Sequence, residues 1–424
     1  MTESDGRTAE KGKKRPVIFL ILGFLANLLG RLLFGLELEI DPKVREWKKR
    51  EGGFIVLCAH PSEMDAVVLI AALFPRFSRF VVGAQQLYKG WQGVMLRSLK
   101  VIPKRQFTPD MSSVKEMIKT VRDGDVLAMM PEGRVSLDGT SSPIDPSTAK
   151  LLQKLACPTA VMVPRGTYFV KPSYNYGGLI RGRIGGRLTP LFDEEEAKSL
   201  TIGEIMERLT AALSYDASRE LQGSGRTYGS RKKAPMEKVS NLFYLCPSCG
   251  KLYTVGDEGG EVFCSSCGMK VFAGRDMFLH ESGEAAASCS YEADADGMLK
   301  NGLPGSIPAW NRIQLDHERS FWEDPGASLD LSVRKKTMVI GKEADYTERC
   351  GGTLRLDREG LHYEDPEESF DVKLSILPGV SADYRDGYIA YYEGDLIRRF
   401  YFDDRRLSAR FMNSLMVLKE KAGS

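Results

Sequence analysis

The stretch Phe54 to Phe74, FIVLCAHPSEMDAVVLIAALF, constrains this chain most. An apolar run with β character ends at His60, Pro61 turns the chain, and Ser62-Glu63-Met64-Asp65 opens a second apolar run long enough for a helix. Ser62 with an acid three residues on is a helix-start signature, with Ser62 as cap and Asp65 in the first turn, where the helix dipole favours a carboxylate. A catalytic reading is compatible with that one. Within one continuous helix, positions five apart diverge by roughly 140°. His60, however, precedes the helix, so a first-turn carboxylate can reach back to it. His-x4-Asp across a strand-to-helix turn then makes an imidazole with one nitrogen held by Asp65 and the other left to accept a proton. Only four histidines occur in the 424 residues.

Length argues for two or three domains. Basic and acidic residues nearly cancel, 59 against 57, so nothing global points to nucleic acid. Residues 1–16 are polar and basic and read as a disordered tail. Val17 to Leu36 is apolar, interrupted by Asn27 and Arg31, and is long enough to meet a bilayer. No small-x-small cleavage site follows it, which disfavours a signal peptide. Lys and Arg flank both sides, so a helix lying in one leaflet, with Arg31 snorkelling, fits better than an oriented span. From 37 to 214 strands and helices alternate: Phe80–Val82, Ser112–Arg122, Val126–Met130, Thr148–Ala156, Thr159–Val163, Arg181–Leu188 and Ile202–Leu213. This predicts an α/β domain with a largely parallel sheet, whose ligands gather at the carboxyl ends of the strands. His60, Glu132 and Pro164 each follow a predicted strand.

Those residues carry a resemblance. Ala59-His60-Pro61-Ser62-Glu63-Met64-Asp65 is similar to the first motif of the glycerolipid acyltransferases, the lysophosphatidic acid acyltransferase-like family. Lys100 to Arg105 is similar to the second, which ends in a phosphate-contacting Arg. Met130-Pro131-Glu132-Gly133-Arg134 resembles the third, Phe-Pro-Glu-Gly-Thr-Arg-Ser, and Val161 to Pro164 with Gly166 resembles the fourth. The blocks occur in family order and cover about the first half of the chain. Two departures stand out: Ala59 replaces the usual Asn, and Arg134 follows Gly133 directly, one position early. The resemblance implies a fatty acyl transfer from acyl-CoA or acyl carrier protein to the hydroxyl of a lysophospholipid such as 1-acylglycerol-3-phosphate. In it His60 is the base and Asp65 orients it. Lys104 and Arg105 grip the acceptor phosphate, Glu132 and Gly133 line the acceptor pocket, and Arg134 takes over the displaced Arg's work or lies on the surface. No nucleophilic Ser or Cys occupies a recognisable elbow, so direct attack is expected.

Ser214 to Pro235 lacks periodicity and reads as a linker (215–239). Residues 240–280 hold Cys246-x2-Cys249 and Cys264-x2-Cys267, each pair followed by Gly, which is the spacing of a closed, structural four-thiolate zinc ribbon. Reduced thiolates place this half in the cytosol. Asp257, Glu258 and Glu261 between the pairs disfavour nucleic acid, leaving a structural or protein-contact role. A second linker and a helix occupy 281–330. From 331 to 424 short strands (Thr337–Ile340, Thr353–Leu356, Leu361–Glu364, Val372–Leu377, Tyr388–Tyr392, Arg398–Phe402) precede a helix, Ser408–Lys419, an arrangement that resembles a pleckstrin-homology-like barrel. The expectation is therefore a membrane-associated multidomain acyltransferase, with site and ribbon facing the cytoplasm. The competing expectation is a catalytically inactive lipid-docked scaffold that recruits proteins through the ribbon and C-terminal domain. A thioesterase-like hydrolase with the same dyad is a third.

Overall fold

The computed structural model describes residues 16–175, 178–229, 234–341, 347–377 and 379–423. The expected basic tail falls on 1–15, outside the described residues. The first sheet comprises β1 (Glu37–Ile40), β2 (Phe54–Cys58), β3 (Ser78–Gly83), β4 (Ile102–Lys104), β5 (Val126–Met129), β6 (Thr159–Arg165) and β7 (Gly185–Phe192). Their order is β1-β7-β6-β2-β5-β3-β4. The pairs are parallel except β6 with β7, which is antiparallel.

Every residue of β2 is buried. Val56 and Cys58 face one cluster with Val68 and Leu69, while Ile55 and Leu57 face another with Leu152 and Leu209. Cover on both faces is why β2 reads as an unbroken apolar run rather than an alternating one. Leu57 lies opposite Met129 on β5 and Val161 on β6, so the three strands leave the sheet side by side. The helix Val17–Phe34 packs one face on the helix Asp65–Leu73 and its following turn. Phe19 meets Phe77 edge-on at 5.3 Å between ring centroids, and the Asn27 amide donates to Ala71 O at 3.1 Å. Its other face, with Leu20, Ile21, Phe24, Leu28 and Leu32, is exposed. Among the described residues this is the one helix long and apolar enough to cross a membrane, by length and composition.

The stretch that reads as a linker after 214 is packed. Asp216 caps a short helix, Ala217–Leu221, and Tyr215 and Tyr228 are buried. Single aromatic anchors leave no periodic trace, which is why the sequence hides this. Strands β8 (Val255–Glu258), β9 (Glu261–Cys264), β10 (Lys270–Ala273) and β11 (Leu279–His280) form an antiparallel sheet. The last sheet joins β12 (Leu329–Val339), β13 (Thr347–Leu356), β14 (Gly360–Glu364), β15 (Ser369–Lys373), β16 (Val380–Asp383), β17 (Tyr388–Glu393) and β18 (Leu396–Tyr401). Its order is β15-β14-β13-β12-β18-β17-β16, antiparallel throughout, and the helix Arg406–Gly423 follows.

The helix Ile307–Phe321 ties these parts together. Trp310 stacks on Phe243 at 4.0 Å, and Asn311 donates to Asp138 in the first domain at 2.9 Å. Glu318, fully buried, accepts from Arg410 at 3.0 Å and from Ser414 at 2.6 Å on the C-terminal helix. Glu318→Ala strands the Arg410 guanidinium in the interior, so it is expected to cost roughly 3–5 kcal/mol. Apolar replacement of both partners should recover most of that. Urea unfolding of the two variants measures the difference.

Candidate active site

His60 leaves β2 and its backbone N–H donates to Glu132 Oε1 at 2.9 Å. Glu132 follows β5, and its Oε2 accepts from the Ser142 N–H at 2.7 Å. One buried carboxylate thus spans two neighbouring strand exits and fixes the backbone that carries the imidazole. Ser136 N–H closes the loop by donating to His60 O at 3.0 Å.

His60 Nδ1 lies 3.1 Å from Asp65 Oδ2. The same oxygen accepts the Ser62 N–H at 2.7 Å. An acceptor facing Nδ1 assigns the proton to that nitrogen and leaves Nε2 as the basic one. Asp65 is fully buried, whereas the His60 side chain is 18% exposed. Burial pushes the Asp65 carboxyl above its ordinary range, against the pull of His60, Thr167 and the Ser62 amide. Burial likewise raises Glu132, opposed by the Ser142 and His60 backbone donors.

Ser62 does not cap the helix as its position suggests. A tight turn intervenes, so the helix starts at Asp65. The Ser62 hydroxyl instead accepts from the Met64 N–H at 3.2 Å and donates to Lys171 O at 2.9 Å. Asp65 is thereby held by the turn itself, on the side that faces His60.

Residues 40–166 match the family model described as Acyltransferase. A curated relative, the 1-acyl-sn-glycerol-3-phosphate acyltransferase of Bacillus subtilis (strain 168), is 24% identical over 110 residues, 26% of this chain and 55% of that protein. The chain thus spans about half the length of that relative. A solved structure, the 1-acyl-sn-glycerophosphate (LPA) acyltransferase PlsC from Thermotoga maritima, is 16% identical, covering 49% of this chain and 81% of its own, with a TM-score of 0.40. That likeness is too loose to carry an argument. The family match and the curated relative support an acyltransferase.

The match contains every acyl-transfer residue singled out from the sequence, and their placements differ. His60, Asp65, Glu132 and Gly133 come together at the strand exits. Gly133 sits at φ +69°, where a side chain would be strained, and its carbonyl accepts from the Gln106 amide at 2.8 Å. Gln106 thus links the Lys104-Arg105 loop to Glu132 and so to His60. Lys104 folds back towards its own loop, Nζ lying 3.4 Å from Arg105 O. Arg105 is gripped by Asp395 of the C-terminal domain, Nε to Oδ1 at 2.6 Å and Nη2 to Oδ2 at 3.1 Å. Arg134 is not a free surface residue: its Nη1 donates to Val380 O at 3.4 Å. Sequence reasoning missed Ser62 N–H, Ser142 and Asp395, since contacts between distant segments leave no local pattern.

The sulfurs of Cys246, Cys249, Cys264 and Cys267 lie within 4.8 Å of one another, with Cys246–Cys267 at 3.8 Å and Cys249–Cys264 at 3.9 Å. A tetrahedron of ~2.3 Å metal–sulfur bonds has edges of ~3.8 Å, so the cluster can hold a metal ion. Gly250 and Gly268, at φ +69° and +74°, donate their N–H groups to Cys246 O and Cys264 O and form the two knuckles.

Glu132→Gln sets an amide donor against a backbone donor, of His60 or of Ser142. Leaving a buried group unpaired costs about 1–3 kcal/mol, and that loss is expected in chemical denaturation.

Proposed function

We propose that the chain is a membrane-associated O-acyltransferase that moves a fatty acyl group from acyl-CoA or acyl carrier protein to the hydroxyl of a lysophospholipid such as 1-acylglycerol-3-phosphate. The observation that carries this reading is the His60–Asp65 contact at the exit of β2, beside Glu132. The acceptor hydroxyl gives its proton to His60 Nε2 as its oxygen attacks the thioester carbon. Asp65 stabilises the imidazolium that forms. The C–S bond then breaks, and the leaving thiolate takes the proton back from Nε2. A covalent detour through the nearest thiol is disfavoured, because burial drives Cys58 well above the ordinary thiol range.

Arg105 and Lys104 receive the acceptor phosphate, and Arg134, between Gly133 and the C-terminal domain, is a further cation for it. The curated relative's likeness supports a glycerolipid acceptor. The family match and the dyad together weigh against an inactive scaffold. The exposed apolar face of the Val17–Phe34 helix, anchored on the helix that carries Asp65, supports attachment to one leaflet with the site at membrane level. We assign the site and ribbon to the cytoplasmic side and Zn2+ to the four cysteines, as a closed structural site. The strand order of the last sheet, with its closing helix, supports the pleckstrin-homology-like reading. This domain and the ribbon are the surfaces for protein partners.

The test is transfer of labelled acyl chains from acyl-CoA to 1-acylglycerol-3-phosphate by purified protein. His60→Ala is expected to stay folded and to lose at least ~10²-fold of activity, and Asp65→Asn to lose less. Near-normal turnover in His60→Ala ends the mechanism, and release of free fatty acid instead of transfer marks a hydrolase. Metal analysis should find about one zinc per chain, lost in Cys246→Ser/Cys264→Ser together with a lower melting temperature.

A further inference from the structure

The C-terminal barrel does not stand apart from the candidate site. Strands β17 and β18 are joined by a two-residue turn, Gly394-Asp395, since Glu393 pairs with Leu396. Gly394 takes φ +60° at the first turn position, as a tight hairpin requires. The tip projects Asp395 into the fork of Arg105, with two parallel contacts at 2.6 Å and 3.1 Å. A carboxylate so placed fills the bidentate face that a guanidinium offers to phosphate.

Neighbouring contacts run along the same seam. Phe107, two residues beyond Arg105, meets Tyr392 edge-on at 5.5 Å between centroids. Gly379 abuts the same ring so closely that a Cβ there would run into it. Arg134 is held by Val380 O, and Arg385 lies 3.5 Å from Glu63 in the His60–Asp65 turn. Residues 379–395 therefore touch Arg105 and Arg134, two of the three cations assigned to the acceptor, and one edge of the turn that positions the imidazole.

We propose that Asp395 is a specificity-determining latch, which holds the C-terminal barrel over Arg105 until a phosphomonoester displaces it. This rests on the reading of Arg105 as the phosphate anchor. The pair is 44% and 46% exposed, so it is screened and weak, as a releasable contact must be. A phosphomonoester brings close to two negative charges and three acceptor oxygens against the single charge of the carboxylate, so it wins the guanidinium. An uncharged acceptor has nothing to offer Arg105 and leaves the seam shut. Asp395 thus converts the charge of the acceptor headgroup into access to the base.

The test uses the full chain with acyl-CoA and two acceptors, 1-acylglycerol-3-phosphate and uncharged monoacylglycerol. Asp395→Asn keeps the shape of the tip and removes its charge. The KM for the phosphate acceptor is expected to fall about two- to fivefold, the span of an exposed pair. Turnover of monoacylglycerol should rise, narrowing the preference. Gly379→Val, which wedges the seam open at Phe107, should shift both acceptors the same way. As a readout apart from activity, inorganic phosphate added to the wild type should speed amide exchange in 388–401, and should do less in Asp395→Asn. A source effect separates in the same assay: if only lipid phosphate opens the hairpin, the acyl chain contributes to release, and the latch stands. Unchanged KM and exchange in Asp395→Asn, with a raised KM in Arg105→Ala, overturn the latch and keep the anchor. An unchanged KM in Arg105→Ala overturns both.

Discussion

The polar edge of one buried helix decides how this molecule is assembled. Asn311, Gln314 and Glu318 lie on the helix Ile307–Phe321 and are almost completely buried. Each must find partners, because an unmade hydrogen bond in the interior costs far more than a made one contributes. Asn311 reaches Asp138 and Asn413, Gln314 takes the backbone at Leu242 and Tyr244, and Glu318 takes Arg410 and Ser414. Those partners belong to the first domain, the approach to the ribbon and the C-terminal helix. A slide of any part by one helical turn would break several of these bonds at once, so the docking is specific in a way that apolar packing alone would not make it. The position of the Gly394-Asp395 tip over Arg105 is a consequence of that docking.

The strand exits obey a similar constraint. Parallel strands in register end together, and their last amides and carbonyls have no further ladder partners. Here Glu132 supplies acceptors for His60 and Ser142, and Asp65 supplies one for Ser62. Two carboxylates buried near an imidazole are costly, and burial raises both from their ordinary range. The cost is partly offset by backbone donors, which are fixed in place. The dyad and the structural repair of the strand ends are thus one arrangement.

Much of this was legible in the sequence, for identifiable reasons. The apolar run at 54–58, the His60–Asp65 spacing and the two Cys-x2-Cys pairs are local patterns with a local physical meaning, and the structure places each group together. The strand β14, with one face partly solvated, and β17, buried on both, start within a residue of the strands expected at Leu361 and Tyr388. The strand β1 and the helix Pro42–Lys49 were not legible. Glu37–Ile40 is short and lies at the sheet edge, and the helix buries just Val44 and Trp47 among charges. The segment Val372–Leu377, expected as one strand, divides into β15 and a short 3-10 turn at Leu374–Ile376. Asp395 was invisible for a deeper reason: its partner stands 290 positions away, and a Gly-Asp turn reads as solvent-facing unless its docking is known.

The small sheet β8–β11 with its four cysteines has a place in the same chain of contacts. Its Tyr253 hydroxyl accepts from Arg410 at 2.9 Å, and Val255 O accepts from Arg406 at 2.7 Å. Arg410 is the residue that Glu318 holds, so the cysteine-bearing module and the central helix share one guanidinium on the C-terminal helix. Val255 is buried with Val262 and Val271, whereas Tyr253 is only partly buried against that cluster. An ion held by the four thiolates would fix those loops with bonds far stronger than any surface contact. Such rigidity would reach Arg410 through Tyr253, and the helix Ile307–Phe321 through Glu318. In that architecture the cysteine cluster lies far from the His60–Asp65 pair in sequence, and would bear on it through how firmly the C-terminal domain is held against the strand exits.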